Sequence, residues 1–216
     1  MKAISKRQEP KSLTEHRAAG GDYTGLDKAE TRTSLLAEQG QICCYCMKRI
    51  PERGKTPGSK IEHFLCQRHH RGEELNYSNM LLACLGNEGS PKHLQTCDTR
   101  KGDASLSYNP SNRGRNIERL IKYTSDGEIY SDDARLDQEL NDVLNLNSQT
   151  LKLNRKNFFR HVRDKIILEG KKQKNKALTR KFLESEKASY LAINGSANSE
   201  YCMVAVYIIN KKLQKL

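Results

Sequence analysis

The sequence predicts an α+β protein: a polar N-terminal arm (1–40), a small strand-and-loop core (41–110) and a mostly helical C-terminal region (111–216). Three observations lead to that expectation. Six of the seven cysteines and four of the six histidines fall within 41–110, among short apolar runs of strand length. Asp126-Gly127 interrupts an alternating stretch at 120–130, the pattern of a hairpin closed by a two-residue turn. Beyond it, apolar residues return at helical spacing in stretch after stretch.

Taken in order, the arm is broken by Pro10 and Gly20-Gly21, and 26–39 reads as a short helix stopped by Gly40. Residues 42–50 have the look of a metal knuckle followed by a turn at Pro51, with a loop at 53–58. A short strand is expected at 60–65, a polar loop at 66–74, and at 75–84 a second strand leading into a helix. Leu136, Leu140, Val143 and Leu144 mark one helix, and Phe158, Phe159, Val162, Ile166 and Ile167 mark another over 151–168. Two more helices are expected at 177–191 and 201–213, separated by Asn194-Gly195-Ser196. No internal repeat is visible.

Composition narrows the function. Hydrophobic residues make up 36% of the chain and Trp is absent, so the core is modest and a structural metal is one route to added stability. The formal net charge of +12 favours a polyanionic partner, because Lys and Arg neutralise phosphates and release counterions. A well-solvated basic surface is the plainer alternative. The same two readings compete for residues 170–181, which carry Lys171, Lys172, Lys174, Lys176, Arg180 and Lys181 and no acid. The longest apolar stretch, 203–209, is too short to span a bilayer, and no secretory leader opens the chain. An odd cysteine count with three in four residues fits metal ligation in a reducing compartment, so a cytoplasmic, membrane-free protein is expected.

Cys43 and Cys46 form a C-x-x-C, a spacing that lets two thiolates face one tetrahedral Zn²⁺. A second pair must close the site, and Cys84 and Cys97 are the candidates across a twelve-residue gap. His93, inside that gap, is an alternative ligand, whereas Cys44 and Cys66 are poorer ones. Four thiolates leave no place for water, so such a zinc would be structural. A redox C-x-x-C would need a thioredoxin-like setting that the pattern lacks. His69-His70, in a polar loop, reads as a solvated pair.

Between and after the cysteine pairs lie Glu62-His63, Asn79 and Cys97-Asp98 with Lys101. The stretches C-C-Y-C, I-E-H-F, L-N-Y-S-N-M-L-L-A-C and C-D-T-R-K-G-D resemble the four-cysteine HNH endonucleases. More narrowly, they are similar to the PtuB-type nucleases of Septu and retron-associated anti-phage systems. Pro10, Ser12-Leu13, Gln39-x-Gln41, Tyr108-Asn-Pro and the hairpin at Asp126-Gly127 extend the likeness over about the first 150 residues.

The resemblance implies a zinc-clamped ββα-metal core and hydrolysis of phosphodiester bonds in DNA, or in RNA such as tRNA, leaving 5′-phosphate and 3′-hydroxyl ends. His63 would be the general base, since an imidazole titrates near neutrality. Glu62 and Asp98 would hold one Mg²⁺ or Mn²⁺ through oxygen. Asn79 would orient the loop or His63, and Arg100 or Lys101 would meet a flanking phosphate. Two positions depart from the family pattern: Glu62 stands where Asp is usual, and Asp98 where His or Asn is usual.

The same resemblance implies a PtuA-type ATPase as partner, and in some systems a retron reverse transcriptase with its DNA–RNA hybrid; the helices and basic tract of residues 111–216 make that region the expected docking surface for the partner or for nucleic acid. The rival from another class is a non-catalytic zinc-binding module that docks nucleic acid or a protein. Asn79 and Asp98 also have plain readings as helix caps.

Overall fold

The computed structural model describes residues 1–51, 58–112, 114, 116–173, 175–192 and 197–216. The loop expected at 53–58 (apart from Gly58), Lys174 of the basic tract and the break at 194–196 lie outside the described residues. Within them the chain is α+β, with two small antiparallel sheets among helices.

The residues expected as an arm pack against the rest. Helix α1 (Lys11–Ala18) was not legible in the sequence; its eight residues bury only Leu13, too little for a periodic signal. Helix α2 (Ala29–Gln39) buries Thr31, Leu35 and Gln39 and ends at Gly40, which takes the left-handed conformation at φ 59°. Gly40 therefore stops the helix as expected. The Gln39 amide then copies a strand. It donates to the carbonyls of Ile42 (2.9 Å) and Leu82 (2.8 Å) and accepts from Leu82 N (2.7 Å).

Strands β1 (Ser59–His63) and β2 (Met80–Cys84) pair antiparallel, with Glu62 opposite Leu81 and His63 opposite Met80. β2 is buried over Met80 to Ala83. The helix expected after 75–84 does not form. A one-turn 3-10 segment (Tyr77–Asn79) precedes β2, and a loop with a second 3-10 turn (Lys92–Leu94) follows it. The apolar run is short because both of its faces are buried, which imitates the start of a helix. Helix α3 (Cys97–Lys101) is a single turn packed on β2.

A short helix α4 (Ile117–Leu120) leads into the expected hairpin, β3 (Ile121–Tyr123) with β4 (Ile129–Ser131), but three residues and not two close it: Thr124 N meets Glu128 O at 3.0 Å and Gly127 N meets Thr124 O at 3.1 Å around Ser125-Asp126-Gly127. Its turn residue Gly127 has φ 84°, and a Cβ there would stand 2.1 Å from the Lys152 carbonyl oxygen. Glycine is thus required both by the backbone angle and by the close approach of the next helix. Helix α5 (Ala134–Gln138) runs into a π-turn (Glu139–Val143), so the single helix expected from Leu136, Leu140, Val143 and Leu144 is interrupted. Helices α6 (Gln149–Gly170), α7 (Lys176–Leu191) and α8 (Cys202–Leu213) complete the chain. α8 buries residues on nearly every face, from Cys202 to Val206 and at Ile208 and Ile209, and is the central helix of the core. No described helix is long and apolar enough to cross a membrane.

Candidate metal centre and the adjoining carboxylate–histidine site

The cysteine cluster is assembled from three separate parts of the chain. Cys43 and Cys46 sit in a tight loop closed by Cys43 N to Lys48 O (2.9 Å) and Met47 N to Cys43 O (3.1 Å). Met47 at φ 62° turns that loop. Cys84 ends β2, and Cys97 opens α3. The long gap between them folds back because Thr96 N reaches Gly86 O at 2.9 Å. A Cβ on Gly86 would sit 2.1 Å from Thr96 O, so only glycine admits this return. Cys97 itself is held at φ 56° with its N–H on Leu144 O at 2.9 Å. That carbonyl is presented by the chain leaving the π-turn, so the turn in the C-terminal half helps set a thiol in the N-terminal half.

The sulfurs of Cys43, Cys46, Cys84 and Cys97 all lie within 4.8 Å of one another. Cys43–Cys97, Cys46–Cys84 and Cys84–Cys97 are each 3.8 Å apart. Sulfurs at that spacing on a tetrahedron stand about 2.3 Å from its centre, the zinc–thiolate bond length. The charge balance agrees. Burial raises the Cys43 thiol, but hydrogen bonds from Cys44, Cys46, Cys84 and Cys97 outweigh it and hold it well below the thiol range. Cys46 is driven up chiefly by its bonds to Cys43 and Cys84, and Cys97 chiefly by its bond to Cys43. Four thiolates packed this closely would need a dication to balance their charge. The cluster can therefore hold a zinc ion. Cys44 is buried beside it, Cys66 is half-buried elsewhere, and His69, His70 and His93 are exposed; none belongs to the cluster.

Next to the cysteines the structure gathers Glu62, His63, Asp98 and Lys101. Glu62 and Lys101 are nearly sealed from solvent, with side chains 2% and 1% exposed. Lys101 Nζ lies 2.9 Å from Glu62 Oε1 and donates to the His63 carbonyl at 3.1 Å. Tyr45, the tyrosine of C-C-Y-C, donates its hydroxyl to the same Glu62 oxygen at 2.7 Å. The expectation that Lys101 meets a flanking phosphate is thus corrected: its ammonium points inward and is occupied. Arg100 ties loops together, donating to Lys92 O (2.9 Å) and Asp142 O (3.4 Å).

Burial, and Asp98 within hydrogen-bonding range, push the Glu62 carboxyl well above its usual range. A second carboxyl nearby disfavours the charged form of Glu62, and the Lys101 ammonium offsets part of that. Asp98 does not cap α3; Thr96 occupies that position, and Asp98 lies in the first turn. The four cysteines remain the only group of three or more potential ligand side chains that the described residues gather for one ion.

His63 is fixed by its neighbours. Its Nε2 lies 2.9 Å from the Glu74 carbonyl oxygen, which can only accept. Nε2 therefore carries the proton, and in the neutral ring Nδ1 carries the lone pair. Tyr23 packs edge-on against the ring at 4.6 Å. Burial lowers the imidazole pKa below 6.5, so the neutral ring predominates at pH 7.

The Asn79 side chain does not hydrogen-bond His63. Its Oδ1 accepts from Leu65 N (2.7 Å), and its Nδ2 donates to Leu65 O (3.0 Å) and Glu73 O (3.1 Å). It staples the loop that carries Glu74, and so positions the carbonyl that orients His63. Sequence reasoning missed Tyr23, Tyr45 and the Glu74 carbonyl. Tyr45 lay inside the quoted motif, whereas the other two are brought in by the fold with no local mark.

No protein-family model matches the chain, and no curated protein matches it.

Proposed function

We propose that this protein is a metal-dependent endonuclease of the HNH type that hydrolyses phosphodiester bonds in nucleic acid. One observation carries the reading: a histidine with its tautomer set for base catalysis adjoins the buried Glu62 carboxyl and the half-buried Asp98, beside a four-cysteine cluster. In this reading the zinc is structural and joins β2 to α3, so that Asp98 is delivered to Glu62. The strand–strand–helix order of β1, β2 and α3 is that of a ββα-metal core.

The roles follow from the geometry. His63 takes a proton from the attacking water at Nδ1, while Nε2–H on Glu74 O keeps the ring from turning. Glu62 and Asp98 would hold a hard divalent cation, Mg²⁺ or Mn²⁺, with water completing its shell. When bound, that ion supplies positive charge for the developing charge on the departing 3′ oxygen. Lys101 holds Glu62 and the His63 backbone in register from beneath.

A second reading, a non-catalytic zinc module that docks nucleic acid or a partner protein, is favoured by one fact. Glu62 Oε1 is already engaged by Tyr45 and Lys101, as in a purely structural ion pair. The sequence resemblance supports a role as the effector of an anti-phage complex with a PtuA-type ATPase, and the substrate, DNA or tRNA, is left to experiment.

The test is cleavage of plasmid, single-stranded DNA and total tRNA with Mg²⁺ or Mn²⁺, by the protein alone and with its ATPase. His63→Ala should lower the rate at least about 100-fold while zinc content and folding are kept. A His63→Ala protein that cuts as well as the parent refutes the base assignment. A parent that cuts nothing under any of these conditions supports the docking module.

A further inference from the structure

A cleft of about 670 Å³ opens on the C-terminal half, between α4 and β3 on one side and α7 and α8 on the other. It shares no lining residue with the carboxylate–histidine site. Four cations face it: Arg119, Lys122, Lys187 and Lys211. Its single carboxylate, Glu118, has Oε1 engaged by Ala3 N at 2.9 Å. Lys122 leans on the exposed Asp132, but among the described residues no ion pair holds Arg119, Lys187 or Lys211.

Tyr207 lines the same cleft. Its ring is half-buried and braced edge-on by Tyr123 at 5.8 Å, with Lys211 Nζ 5.5 Å from its centroid. Cations along a groove with a braced aromatic face among them are the elements of single-strand binding: the cations track phosphates, and the ring offers a surface to a base. Met1, Ile121, Leu191, Met203 and Val206 also line the cleft, but a protein core or a lipid tail would leave its four cations without partners.

We infer that this cleft is a second nucleic-acid site, one that holds a single strand of DNA or RNA through its phosphates. It holds whether or not the chain cleaves, because its residues are separate from His63, Glu62 and Asp98. The charge it presents is a local part of the +12 of the whole chain, so the test must separate place from total charge.

Fluorescence anisotropy with labelled twelve-nucleotide single strands, in zinc-replete buffer without added Mg²⁺ or Mn²⁺, reads binding and not cleavage. Lys187→Gln/Lys211→Gln should weaken binding at least about tenfold and reduce the slope of log K against log salt by about 1.4. Lys171→Gln/Lys172→Gln removes the same charge from the basic tract and should stay within about twofold of the parent. The exposed Arg119→Gln gives a single-site check should the double variant lose its helical circular dichroism, and should lower the slope by about 0.7. Equal losses in the cleft and tract variants, or no loss in the cleft variants, overturn the assignment. A mononucleotide that binds as tightly as the strand overturns it too.

Discussion

Replacing Cys97 with serine probes the metal centre at its most constrained ligand. Cys97 is held by its left-handed backbone, by the bond from its N–H to Leu144 O, and by its sulfur, 3.8 Å from those of Cys43 and Cys84. Serine keeps the first two and removes the third. In the zinc-loaded parent, X-ray absorption should report four sulfur neighbours at about 2.3 Å. In the variant it should report three, or no ordered zinc. The energy at stake is large. Closed zinc sites contribute on the order of 10–16 kcal/mol in small zinc domains, whereas whole domains are stable by about 5–15 kcal/mol. Here α8 supplies a core that does not depend on the metal, so the loss should be partial. Urea unfolding followed by circular dichroism should show a deficit of about 4 kcal/mol, in the range that marks loss of a metal ligand. Zinc released to a colorimetric chelator should rise from a small fraction to most of one ion per chain. Cys44→Ser is the control: its thiol is equally buried but lies outside the cluster, and zinc should be retained. Full retention of zinc by Cys97→Ser, or equal loss in Cys44→Ser, would refute the ligand assignment.

Other perturbations probe the neighbouring site. Lys101→Met removes the cation from a pair whose side chains are 1% and 2% exposed, leaving Glu62 beside Asp98, and should cost about 3–5 kcal/mol at pH 7 by urea titration. Glu62 titrates well above the usual range, so that deficit should shrink as pH falls and the carboxyl becomes neutral; a deficit constant down to pH 4 would contradict the charge argument. Arg155 is only 1% exposed and donates to Gly127 O (2.7 Å), Leu146 O (2.8 Å) and Asn147 Oδ1 (3.0 Å). Arg155→Met strands the first two carbonyls and should cost about 3 kcal/mol, against under 1 kcal/mol if these bonds are incidental. Burial lowers the His63 pKa, so the base is lost only as pH falls through a value below 6.5. The acid limb of the rate–pH profile should therefore sit below the ordinary histidine value, and the stability contributed by the buried neutral ring should be lost in the same window. A limb above pH 6.5 would contradict the assigned environment.

The amino-acid sequence determined the features whose causes are local or chemical. The C-x-x-C with two later cysteines named the four clustered thiols, because a closed zinc site needs a second pair and the C-x-x-C spacing lets the first two thiolates face one ion. Asp126-Gly127 announced its hairpin, Gly40 ended its helix, and the long apolar periods of α6 and α8 were visible as patterns. Tertiary structure alone decided the rest. Lys101 looks like any surface lysine in a basic sequence, yet the turn of α3 on β2 buries it against Glu62. The proton position on His63 depends on a backbone carbonyl at Glu74, and a carbonyl has no side-chain signature. The π-turn that presents Leu144 O to Cys97, the buried Arg155 and the cleft beside Tyr207 each join residues far apart in the chain. Contacts of that kind depend on how packed surfaces meet, and a pattern read along one strand or helix carries no record of what will lie across from it.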